Sequence, residues 1–216
     1  MNKSIYSLVL SYEIIKEIDR LAYENDTSRS NMVNQILAER VSFVTPEQKI
    51  REIFKQIEDK LIGSNRFQSL LQPSFSMYSL RSSLNYKYNP TVKYCVEMNP
   101  DRSDYIGDIR VTVRSQSDSF RLLLLQFFKL WKNIEEQYNG PVQIDADADK
   151  FVRKVYVNEQ YEVLDNESVG RSIADYIRFF DYGMKQFFDN VNNPANAISR
   201  TEDVYRSYLL TEPVIL

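Results

Sequence analysis

The tightest constraint in the chain lies in its first 44 residues, where one short strand is followed at once by two amphipathic helices. The segment KSIYSLVL, residues 3–10, alternates side chains at the period of a strand. Ser11 is placed to cap a helix over residues 12–24, whose Ile14, Ile15, Ile18, Leu21 and Ala22 recur on one helical face. Glu13, Lys16, Glu17, Asp19, Arg20 and Glu24 cover the opposite face. Asn25 and Asp26 suit a turn, and Ser28 suits the cap of a second helix with the stripe Met32, Val33, Ile36, Leu37 and Val41. A lone strand leaves its N–H and C=O groups unpaired, and so small a unit cannot cover both helices. A second copy supplies both needs if the strands pair antiparallel about a two-fold axis. The expected state is a homodimer or a higher even oligomer.

The stretch LVLSYEIIKEIDRLAYENDTSRSNMVNQILAERV resembles the Arc/MetJ/CopG-type ribbon-helix-helix superfamily, over residues 3–44, about a fifth of the chain. The serine between strand and helix, the A-x-x-x-x-x-S-x-S turn from Ala22 to Ser30 and the apolar stripe after it carry the likeness. The resemblance implies a paired β-ribbon in the major groove of double-stranded DNA. It places Lys3, Ile5, Ser7 and Val9 toward the bases, and Tyr6, Leu8 and Leu10 toward the helices. It also implies that Ser28, Arg29 and Ser30 hold a backbone phosphate at the positive start of the second helix. The ribbon face departs from the family pattern. Ile5 and Val9 carry no hydrogen-bonding group and can meet only a thymine methyl. Ser7 suits almost any base, so Lys3 carries most of the direct readout.

Charge gives this unit no broad basic footprint of the kind DNA readers usually show. Lys3, Lys16, Arg20, Arg29 and Arg40 face Glu13, Glu17, Asp19, Glu24, Asp26 and Glu39, a local net of −1 in a chain of net −3. The whole chain has no histidine, which removes the Ser-His triad and most zinc sites, and its one cysteine, Cys95, allows no disulfide within the chain. No run approaches the ~20 apolar residues of a membrane span, and residues 5–10 are too short for a signal core. These features predict a soluble, cytoplasmic protein without a membrane partner.

Beyond residue 44, Thr45 and Pro46 suit the start of a further helix. Ile50, Ile53, Phe54, Ile57 and Leu61 form a seam, to pair with its two-fold mate or to pack on the larger domain after it, and residues 63–65 end the helix. Residues 66–90 fit either helix or strand. Residues 91–98 and 105–114 alternate as two strands of a possible hairpin. Residues 117–138 read as a long helix so apolar that more than one face should be covered. Residues 142–144, 152–157 and 161–164 are possible strands, residues 167–191 a second long helix and residues 203–210 a last short one.

Other candidate chemistry has a plainer structural explanation in each case. Asp145, Asp147 and Asp149 lack the glycine and glutamate of a calcium loop and suit an exposed acidic turn. Cys95 suits a sheet face, and no histidine is present to activate it. The stripe Arg110, Thr112 and Arg114 could meet an anion or nucleic acid, but a solvated sheet face explains it too. Phe179, Phe180, Tyr182, Phe187 and Phe188 suit core packing before a ligand pocket.

The fold class expected is α+β. A ribbon-helix-helix (β-α-α, obligate dimer) over residues 1–44 leads through a helical linker, 45–63, into a larger α+β domain, 64–216, with a small antiparallel sheet and two long helices. The function expected is a dimeric DNA-binding transcriptional regulator, not an enzyme and without cofactor or metal. Its C-terminal domain would oligomerise, sense a small molecule or bind a protein. The alternative is a structural or interaction protein that keeps the ribbon-helix-helix only for dimerisation.

Overall fold

The computed structural model describes residues 7–41, 44–63, 66–71, 74–99, 105–156 and 165–215. The chain divides into two compact units, residues 1–49 and 50–216.

In the first unit the serine caps form as the sequence requires. Ser11 accepts from the Ile14 N–H and opens α1 (Tyr12–Glu24), and Ser28 accepts from the Asn31 N–H and opens α2 (Arg29–Arg40). Between them Asp26 adopts φ 47°, the left-handed conformation that ends helices, and the Thr27 N–H donates to the Ala22 carbonyl at 2.9 Å. The apolar centre is small. Ile18, Ala22 and Met32 are buried, with Leu10, Leu21 and Val33 packed on them. The expected strand over residues 3–10 is only partly in view: residues 3–6 lie outside the described residues, and residues 7–10 belong to no strand. The rest of the α2 stripe is not buried either. Ile36, Leu37 and Val41 are 38, 52 and 72% exposed, although Ala38 among them is buried.

Thr45 and Gln48 cap each other at the start of α3 (Pro46–Ile62): the Gln48 N–H donates to Thr45 Oγ1 at 3.2 Å, and the Thr45 N–H to Gln48 Oε1 at 2.8 Å. From Ile50 onward α3 belongs to the second unit, and Ile50, Ile53, Ile57 and Leu61 are buried in that unit's core. The seam of α3 thus packs on the larger domain, the second of the two placements its sequence allows.

The body is α+β. Its strands are β1 (Gln68–Ser69), β2 (Met77–Ser83), β3 (Thr91–Met98), β4 (Tyr105–Val113), β5 (Ile144–Ala146) and β6 (Lys150–Tyr156). They form one antiparallel sheet in the order β1-β2-β3-β4-β6-β5. Two long helices, α4 (Asp118–Asn139) and α5 (Asn166–Asp189), and then α6 (Pro194–Leu209), complete the body. β2 occupies the stretch that fitted helix or strand equally, and α6 begins nine residues before the short helix expected there. The possible strand at residues 161–164 lies outside the described residues.

Alternation decides the layers. Leu80, Val92, Tyr94, Val96, Ile109, Val111, Val113, Phe151 and Val155 are buried on one sheet face, in a single core with residues of α3, α4, α5 and α6. Phe180 lies at its centre, its ring 4.8 Å from Phe151, 5.0 Å from Trp131 and 5.3 Å from Phe127. Two helical glycines permit this density. A Cβ at Gly170 would stand 2.7 Å from the Ile53 carbonyl oxygen of α3, and one at Gly183 would stand 2.5 Å from the Trp131 ring. α4 is less completely covered than its composition suggests, with Leu122 58% exposed.

Candidate nucleic-acid interface

The residues expected at DNA divide into those the structure describes and those it does not. Lys3 and Ile5 lie outside the described residues. Ser7 and Val9 are exposed, Val9 completely, while Leu10 packs against the small apolar cluster. Leu8, expected to face the helices with Leu10, is 52% exposed, so the described part of the segment does not show the two-sided burial its alternation suggests.

Ser28, Arg29 and Ser30 stand together, exposed, at the start of α2. Ser28 uses its side chain on the Asn31 N–H at 3.3 Å. The N–H groups of Arg29 and Ser30 belong to the first turn, where helical geometry provides no acceptor. The helix dipole adds partial positive charge there. Arg29 itself is engaged: its Nε and Nη2 donate to the two carboxylate oxygens of Asp19 at 2.5 and 2.6 Å. That hydrogen bonding holds the Asp19 carboxyl below its usual range. Glu24 and Asp26 border a shallow hollow with Ala22, Tyr23, Thr27 and Ser28. The helix start therefore offers partial positive charge, while the arginine beside it already has a carboxylate partner.

In the body, the sequence-singled residues scatter. Asp145, Asp147 and Asp149 are exposed on β5 and the turn into β6, and among the described residues no cluster of metal-ligand side chains forms. Cys95 is buried, on the sheet face opposite the helices, flanked in register by Ser79 and Arg110. Arg110 reaches Glu97 at 3.3 Å, and Arg114 is exposed just past β4. Phe180, Phe187 and Phe188 are core, whereas Tyr182 is 44% exposed. Between α4 and α6 a groove of about 370 Å³ is lined mainly by Leu123, Leu130, Phe187, Val191, Ala197 and Ile198.

Two buried charged clusters escape a reading of the sequence. Glu135 and Arg153 are 0 and 1% exposed. Arg153 Nε donates to Glu135 Oε2 at 2.8 Å, Trp131 Nε1 donates to Oε1 at 2.8 Å, and the Tyr176 hydroxyl also donates to Oε1. Burial is the largest influence and opposes the arginine's charge, but the combined interactions with Glu135, Tyr176 and Tyr208 outweigh it and raise the Arg153 pKa. In the second cluster Asp181 accepts from Ser82 at 2.5 Å, from Tyr94 at 2.9 Å and from Lys185 at 2.6 Å. Burial raises the Tyr94 and Tyr176 pKa values well above the ordinary tyrosine range. The phase of β6 holds the missing signal: with Phe151 and Val155 inward, Arg153 must point inward too. The first cluster joins α4, α5 and β6, and the second joins β2, β3 and α5.

No described helix is long and apolar enough to cross a membrane. Compared with protein families, with curated proteins and with solved structures, the chain gives no match in any of the three.

Proposed function

We propose that the chain is a dimeric DNA-binding protein, a transcriptional regulator whose first unit acts as a ribbon-helix-helix and whose body senses a ligand or binds a partner. The observation that carries this reading is the uncovered apolar surface of the first unit. Ile36 and Leu37 on α2, Val41 at its end and Ile14 on α1 are exposed in one copy, beside a segment, residues 7–10, that has no strand partner among the described residues. A second copy would cover these side chains and pair that segment in one step. The ribbon so formed would offer Lys3, Ile5, Ser7 and Val9 to the groove. The start of α2 would offer Ser28, Arg29 and Ser30 to a phosphate, with Arg29 exchanging Asp19 for the phosphate oxygens.

The second reading, dimerisation without DNA, is favoured by the Asp19–Arg29 pair and by the bare methyl surface of Val9. Duplex binding across a salt series separates the two. A regulator loses affinity as salt rises, with a log–log slope of several units from counterion release. Arg29→Ala should then weaken binding to every sequence, and Ser7→Ala should alter preference more than affinity. A flat, weak response at all salt concentrations selects the second reading.

A further inference from the structure

The sheet has a second face, opposite the helices, and its charge is unevenly spread. The ladder aligns Gln68, Arg81, Lys93, Thr112 and Lys150 across five neighbouring strands. At about 4.8 Å per strand this row is about 19 Å long, and it contains no carboxylate. Continuing the β3–β4 ladder one step places exposed Arg114 opposite Thr91. The β2–β3 turn at the same end carries exposed Lys87 and a fully exposed Tyr88. Lys93, Arg114 and Lys87 form no ion pair with any described residue, and Arg81 donates only to Gln68, at 3.0 Å.

The other half of this face is balanced. Arg110 pairs with Glu97, and Asp108 and Asp145 accompany Lys154. At the β5 side Asp147 and Asp149 lie next to Lys150, so the uncompensated charge centres on Arg81, Lys93 and Arg114. In a chain of net −3, an unpaired cationic row at the exposed end of this face, interspersed with Gln68, Ser83, Thr91 and Thr112, does not follow from composition. Its long cationic and amide donors suit phosphate oxygens.

We propose that this end of the open sheet face binds the phosphodiester backbone of a nucleic acid, with Arg81, Lys93 and Arg114 on phosphates and Tyr88 placed to stack on an unpaired base. This contact is independent of the first unit and adds affinity without reading sequence.

The test uses the full chain and two probes of random sequence, a 30-nucleotide single strand and a 30-base-pair duplex, titrated from low to moderate salt. The triple variant Arg81→Gln/Lys93→Gln/Arg114→Gln changes only exposed side chains and should unfold at the wild-type temperature. Its affinity for at least one probe should fall more than tenfold at low salt, with the log–log slope reduced by about one unit per cation removed. A control of equal charge change on the helical side, Lys129→Gln/Lys132→Gln/Arg200→Gln, should bind as the wild type does. If Arg29→Ala is silent while the sheet triple loses binding, the DNA-reading head fails and the sheet contact stands. Unchanged binding by the sheet triple, equal loss in the control, or a wild-type chain that binds neither probe at low salt would each overturn the sheet contact.

Discussion

The inward side chains of the body's central strands, Val92, Tyr94, Val96, Ile109 and Val111, are almost completely buried, whereas Ile36, Leu37 and Val41 of α2 are 38, 52 and 72% exposed. Both sets follow the period of their element, so the difference does not lie in local pattern. The body brings four helices onto one sheet and meets its own burial needs. The first unit, residues 1–49, has two helices on a cluster of three buried side chains, little more than the size of about 40 residues below which domains usually need outside support. The same kind of apolar stripe is therefore core in one unit and, on our reading, an interface in the other.

The strongest way to break this comparison is to damage the body where it is self-contained. Phe180→Ala removes the ring at the centre of the core and should lower unfolding stability by about 3–5 kcal/mol, measured by chemical denaturation. Glu135→Leu leaves the buried guanidinium of Arg153 uncompensated, and a loss of about 3–5 kcal/mol is expected. Adding Arg153→Met should restore most of it. Failure of the second change to rescue the first would show that the pair is not the reason Glu135 matters. Gly183→Ala should cost about 1–3 kcal/mol as its methyl meets Trp131.

Alkali separates the units next. Tyr94 and Tyr176 keep their protons in the fold above pH 10, where the unfolded chain releases them. The folded state then binds more protons. The stability this contributes is fully present below about pH 10 and is lost as pH rises beyond it. The body's melting temperature should fall from pH 10 upward, and with no histidine in the chain no histidine-linked change is expected between pH 6 and 8. The smallest effect is local. Ser28→Ala removes the α2 cap and should cost the first unit about 1 kcal/mol, with earlier amide exchange in α2 and no change in the body.

Much of this architecture is legible in the sequence, for identifiable reasons. Ser11, Ser28 and Thr45 mark helix starts because a short side-chain oxygen before an apolar repeat has few other uses. β3 and β4 are legible because each alternates without interruption. β2 is not, because serines stand on both of its faces and blur the period: Ser79 and Ser82 are buried, and Ser83 is exposed. The first half of α6 is hidden by its polar sequence, although Asn193 and Pro194 form a cap and a first helical position. Glu135, Arg153 and Asp181 are invisible as core because a charge read alone belongs at the surface. Only pairing across elements far apart in the chain makes its burial tolerable. The DNA-facing residues are legible only through a resemblance, and half of the ribbon set, Lys3 and Ile5, lies outside the described residues.

Sedimentation equilibrium of the full chain over micromolar concentrations tests the central claim most directly, run beside Leu37→Asp. The expected result is a wild-type particle of twice 25.5 kDa, or an even multiple of it, and a variant that dissociates to 25.5 kDa while the body melts at its usual temperature. A wild-type chain that sediments at 25.5 kDa throughout, with α1 and α2 amides fully protected from exchange, would contradict it.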